Sequence, residues 1–137
     1  MEVNIWGAVV ASVAMFVVGA LWYMVLFPKQ WGEMFDFDKL SKAKQKEMQA
    51  QMGPYYALQM VVTAVTAFVL ALFVALLPEE SPYLLAFWVW LGFVVPTQVS
   101  AVIFGGVDAR WIPRRIAIMA GGSLAPLMVA AFVLGLF

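Results

Sequence analysis

The chain has 137 residues, 65% of them hydrophobic and only 12% charged, about half the charged fraction of soluble domains, which excludes a water-soluble globule. Eight basic residues balance eight acidic ones, so no net charge draws the chain to nucleic acid. There is no Cys and no His, which removes disulfide and thiolate chemistry, the commonest metal ligand and the side chain that titrates near neutrality.

Four apolar segments, at roughly 4–27, 55–77, 83–104 and 114–136, are each long enough to cross a hydrocarbon core, which takes about 20 helical residues. No acidic or basic residue lies inside the first three, and only Arg114 and Arg115 open the fourth. Runs such as Val61 to Leu77 do not alternate apolar with polar, which excludes a transmembrane barrel. The expected fold class is all-α. It is a polytopic membrane protein with four transmembrane helices in a compact bundle, and residues 1–137 form a single transmembrane domain.

The first segment follows Met1-Glu2 and ends in Trp22-Tyr23. It lacks the basic start and short apolar core of a cleaved signal, so it is expected to be retained. Residues 36–52 in the following loop (28–54) contain no Gly or Pro and are good helix formers, with Asp38 or Ser41 placed to cap a short helix. Gly53-Pro54 then interrupts, and Pro54 suits the first turn of the second span.

Charge orients the bundle. Lys29, Lys39, Lys42, Lys44 and Lys46 lie between the first two spans, and Arg110, with Arg114 and Arg115 at the very start of the fourth, marks the same side between the last two. The N-terminal tip, the loop at 78–82 and the C-terminus carry no Lys or Arg. Basic residues near span ends stay on the cytoplasmic side. Loops 28–54 and 105–113 are therefore expected in the cytoplasm and both termini outside, in a bacterial inner membrane with an anionic inner leaflet as lipid partner. Trp22, Tyr23, Trp31, Tyr55, Tyr56 and Trp111 gather at the basic ends of spans, and Trp6, Tyr83, Trp88 and Trp90 at the opposite ends. Both sets read as interfacial belts, with Lys29, Arg110, Arg114 and Arg115 as further anchors.

Inside the spans, small residues recur every four positions: Ala67, Ala71 and Ala75; Gly92, Pro96 and Ser100; Ala117, Gly121 and Ala125. Such faces let helices approach closely in lipid, within one chain or between chains. Gly92-Phe-Val-Val-Pro96 and Gly122-Ser-Leu-Ala-Pro126 repeat one pattern, in which proline cannot donate to the carbonyl four residues earlier. Both predict helix kinks, and paired interruptions of this kind also mark transporter binding sites.

Neutral polar groups are unevenly spread. Gln59, Thr63 and Thr66 share a face of the second span, and Thr97, Gln98 and Ser100 occupy one half of the third. Gln59 and Gln98 are expected at similar depth, where the two sets either bond each other across helices or line a polar vestibule. No nucleophile in the spans has a base beside it, and Asp36, Asp38 and Asp108 show no metal-ligand spacing. Neither an enzyme nor a cofactor is expected.

The run Gly19-Ala-Leu-Trp-Tyr-Met-Val-Leu-Phe-Pro-Lys-Gln-Trp31 resembles the signature of the small four-span bacterial proteins catalogued as domain of unknown function 1761. Their first span typically ends Gly-x-Leu-Trp-Tyr-x-x-Leu-Phe-Gly-Lys-x-Trp. The resemblance extends over the whole chain in length and span layout, including Gly92-Phe93 in the third span. Pro28 stands where the family has Gly, and Val107-Asp108-Ala109-Arg110 where many members have Phe-Glu. The resemblance implies a fold and carries no established activity.

Function is expected to be non-catalytic helix–helix association, as a homo-oligomer or as an accessory subunit of a membrane complex. The alternatives are a permeation module lined by Gln59, Thr63, Thr97, Gln98 and Ser100, and lipid or quinone binding at the inner leaflet.

Overall fold

Asn4 starts the first helix by accepting the Gly7 N–H on its side-chain oxygen at 2.8 Å, satisfying one of the donors that a helix start leaves orphaned. In the computed structural model, which describes residues 2–27, 29, 39–106 and 108–137, that helix is α1 (Ile5–Leu21) and runs on into a π-helical turn, Trp22–Leu26. A short helix, α2 (Lys42–Gln51), is capped by the Ser41 hydroxyl, which accepts the Lys44 N–H at 3.3 Å. This is the loop helix expected within 36–52, beginning at the second of its two proposed caps. Asp36 and Asp38 lie outside the described residues.

The remaining spans are α3 (Gly53–Leu76), then α4 (Pro82–Val89) joined through a π-helical turn at Trp90–Val94 to α5 (Val95–Ile103), and finally α6 (Ile112–Leu136), preceded by a 3₁₀ turn at Ala109–Trp111. Helices α3, α4 and α6 each carry a proline in their opening turn, where its missing N–H has no partner to lose, whereas Pro96 of α5 lies inside a continuous span. Four helices result that are long and apolar enough to cross a membrane: Ile5–Leu26, Gly53–Leu76, Pro82–Ile103 and Ala109–Leu136. Their ends fall close to those expected, except that the fourth starts a few residues earlier. Among the described residues there is no strand.

Helix α1 packs against α6 and α3, while α4 and α5 pack against α6. The second and third spans meet chiefly through α4, near the loop at 77–81. In space the spans therefore run second, first, fourth, third. We call the end with Asn4, that loop and Phe137 the terminal end, and the end with α2 and Arg110 the basic end. The buried core draws on Ala8 and Ala11 of α1, Ala67 and Ala71 of α3, and Ala130 and Ala131 of α6, with Met15, Leu70 and Leu127 filling between them. All of these lie in the half of the bundle nearer the terminal end. The alanine face expected on the second span is thus consumed inside the chain at Ala67 and Ala71.

Candidate functional site

Toward the basic end the helices are tied to one another by donors placed on successive carbonyls of α6. The Trp22 indole N–H donates to the Ile118 carbonyl at 2.9 Å. The Gln98 amide donates to the next carbonyl, Met119, at 3.3 Å, and the Trp90 indole to the one after, Ala120, at 2.9 Å. Ser123 closes the cluster. Its hydroxyl lies 3.2 Å from the Trp90 indole nitrogen, 3.2 Å from Gln98 Oε1 and 2.9 Å from the Ala120 carbonyl. A helical carbonyl has a second lone pair to offer, so these bonds join helices without breaking the helix that accepts them.

Glycines make this approach possible. A Cβ at Gly121 would stand 2.6 Å from the Trp22 ring. One at Gly122 would stand 2.7 Å from the Tyr23 hydroxyl and 2.8 Å from the Trp22 ring. The two aromatic side chains therefore lie directly on the backbone of α6. Trp22 also packs on Phe27 with ring centroids 5.1 Å apart. That pairing follows from the π-helical turn, in which the Phe27 N–H reaches the Trp22 carbonyl five residues back at 3.1 Å.

The second π-helical turn sets register. In a straight α-helix Trp90 and Gln98, eight residues apart, would diverge by about 80°. The Val95 N–H instead bonds the Trp90 carbonyl, so one extra residue is taken up, and the divergence falls to about 20° in the opposite sense. Both side chains then face α6. This turn falls beside the first of the two Gly-x-x-x-Pro repeats, Gly92–Pro96. At Gly122–Pro126 helix α6 runs without interruption from Ile112 to Leu136, with Pro126 buried inside it.

The polar residues of the second and third spans are not brought together. The Thr63 hydroxyl returns to the Gln59 carbonyl at 2.7 Å, and the Gln59 amide donates to that same hydroxyl at 3.3 Å. Thr97 likewise bonds the Phe93 carbonyl of its own helix at 2.7 Å and is exposed, as is Ser100. None of the expected bonds between the two sets is seen among the described residues, and Gln98 bonds the fourth span instead. Equal depth along the membrane does not make two helices neighbours, and α5 packs against α6.

Trp22 and Tyr23, expected among the interfacial anchors, point into the bundle. Side chains on a helix tilt toward its N-terminus, here away from the basic end. Trp90 also acts as an interhelical donor. Its depth, eight residues past Pro82 and so about 12 Å along the helix, was the available signal. Ser123 had no signal beyond its place after Gly121-Gly122.

Lys29 is exposed, and Trp31 lies outside the described residues. Arg110, Trp111, Arg114 and Arg115 gather at the start of α6. Asp108 caps the 3₁₀ turn by accepting the Arg110 N–H at 3.1 Å, and its carboxylate lies 3.5 Å from the Arg110 Nε. The guanidiniums of Arg110 and Arg114 sit 5.7 Å and 5.3 Å from the Trp111 ring centre. Arg115 is half-buried, within electrostatic range of Tyr23.

Four apolar helices joined in this way define an integral membrane protein built as an all-α bundle. Residues 6–135 match the family described as Protein of unknown function (DUF1761), and the chain belongs to that family. No curated protein and no solved structure matches it.

Proposed function

We propose that this protein works by lateral association within the membrane, with a second copy of itself or as an accessory subunit of a larger complex, and carries no catalysis of its own. The observation that carries this reading is the uncovered face of the third span. Gly92, Pro96 and Ser100 are all exposed, and no atom lies within 4 Å of the place a Gly92 Cβ would occupy. The other small-residue faces are largely occupied by the chain itself: Ala67 and Ala71 are buried, and Gly121 lies under Trp22, although Ala117 is exposed. The third span is also the least covered of the four. In lipid, where apolar surface alone gives no drive to associate, faces of small residues allow the close backbone approach that does.

Counting copies per particle in lipid nanodiscs tests the proposal. We expect more than one copy, or a co-purifying partner, and a return to single copies on Gly92→Ile. Single copies with no partner after mild crosslinking reject it.

The orientation proposed with it places the basic end in the cytoplasm of a bacterial inner membrane, supported by the confinement of all eight basic residues to that end. Reporters fused at Phe137 and within α2 should read opposite sides, with α2 cytoplasmic. A permeation role has less support, because Gln59 and Thr63 bond within one helix while Gln98 is engaged by the fourth span.

A further inference from the structure

We infer that the third span has two registers, in which Thr97 and Gln98 exchange places against the fourth span as the π-helical turn at Trp90–Val94 opens and closes. A single copy suffices for both registers, whatever partner the uncovered face takes. With the turn present, Gln98 lies about 20° from Trp90 around the helix. There its amide donates to the Met119 carbonyl and its Oε1 accepts the Ser123 hydroxyl. Wound as uninterrupted α-helix, the same segment puts Thr97, seven residues past Trp90, at that same angle on the same side. The two depths differ by no more than a residue's rise of about 1.5 Å. Two adjacent polar side chains thus address one polar site on α6.

The chain is suited to both windings. Closing the turn moves the Val95 N–H from the Trp90 carbonyl to that of Leu91, so backbone bonds change partner and the helix stays whole. The second Gly-x-x-x-Pro repeat, Gly122–Pro126, already runs as uninterrupted α-helix inside α6. Thr97 keeps its hydroxyl on the Phe93 carbonyl of its own helix and is exposed, which leaves it available to turn inward. One turn further, Val102 is fully buried and Ala101 is exposed. Ala101 would enter the space of Val102, and a smaller side chain enters without overpacking. Gly105 and Gly106 follow the span, Gly106 with φ 75 and open space where a Cβ would stand. Such a turn can absorb rotation of the helix before it.

The exchange changes what the third span shows to its surroundings. Closing the turn rotates Val95–Ile103 by about 100°, and each position is taken by the residue before it. Val99 comes to stand where Ser100 is, and Val102 where Ile103 is. Thr97 turns inward, and Gln98 leaves α6. The turn is therefore a conformational device that resets the outward face of this half-helix by one residue.

Nitroxide labels placed one at a time from Val99 to Ile103 in the cysteine-free chain read the register as oxygen accessibility in nanodiscs. In the wild type the minimum should fall at Val102, the buried position of this stretch. Exchanging the polar pair, Thr97→Gln with Gln98→Thr, keeps the composition and moves the longer amide back by one residue. The minimum should then shift by one residue, to Ala101. Deleting Phe93, which is 72% exposed, removes the extra residue outright and leaves Gln98 seven residues past Trp90. In that variant the minimum should stay at Val102. A minimum that remains at Val102 in the exchanged variant overturns the two registers, as does one that moves in the deletion variant. An exchanged chain that does not fold overturns them too, because the second register should accommodate that pair.

Discussion

At the terminal end of the bundle, Ala8 and Ala11 meet Ala67, Ala71, Ala130 and Ala131 in one buried cluster. At the basic end, the first and third spans reach the fourth through Trp22, Gln98 and Trp90, each donating to a different carbonyl of α6. The contrast follows from how helices associate in lipid. Where side chains are methyl-sized, backbones come close and dispersion does the joining. Where the chain uses long polar-tipped side chains, a hydrogen bond spans the wider gap, and glycines on the receiving helix make room for the rings. Both π-helical turns fall in or border the second region, and each begins at the tryptophan that makes the bond. One end is thus held by packing and the other by directed bonds on adjusted helices.

Substitutions should separate the two regimes, each read as a change in unfolding free energy in detergent. Gly122→Leu should have the largest effect, about 3 kcal/mol, because its Cβ would meet the Tyr23 hydroxyl and the Trp22 ring at under 3 Å and displace both. Leu70→Ala should follow at about 2 kcal/mol, since Leu70 is 2% exposed and leaves a cavity in the alanine-packed half. Trp90→Phe keeps the ring and removes only the N–H to Ala120 and Ser123, so a loss of about 1 kcal/mol is expected, as for other interhelical hydrogen bonds. Thr97→Val should change stability by less than about 0.5 kcal/mol, because that hydroxyl bonds its own helix. If Trp90→Phe matched Leu70→Ala, the division between packed and bonded halves would fail.

The spans were legible because hydropathy and length alone decide them, and Ser41 and Pro54 mark helix starts by chemistry local to the chain. The bonded half was legible only in part. Residue type announces that Trp22 and Trp90 carry a donor, but the direction of the donor depends on the tilt of the Cα–Cβ bond and on which helix lies beside it. The wide turn at Trp90–Val94 rotates everything beyond it by about 100°, a shift that no periodicity in Gly92 to Pro96 reveals. Gln59 and Gln98 show the same limit: depth can be counted along each helix, whereas adjacency belongs to the packing. Arg110, Arg114 and Arg115 are near one another in sequence, while the approach of Arg110 and Arg114 to the Trp111 ring awaited three dimensions.

Because the chain contains no cysteine, a single introduced thiol reports on one position only. Gly92→Cys, oxidised in native membranes, tests most directly whether the uncovered face of the third span is where this protein meets its partner. The prediction is a crosslinked species, a dimer or a larger adduct, forming far faster than with Val61→Cys on the exposed surface of the second span. Equal crosslinking from both positions, or none from Gly92→Cys, would contradict the account.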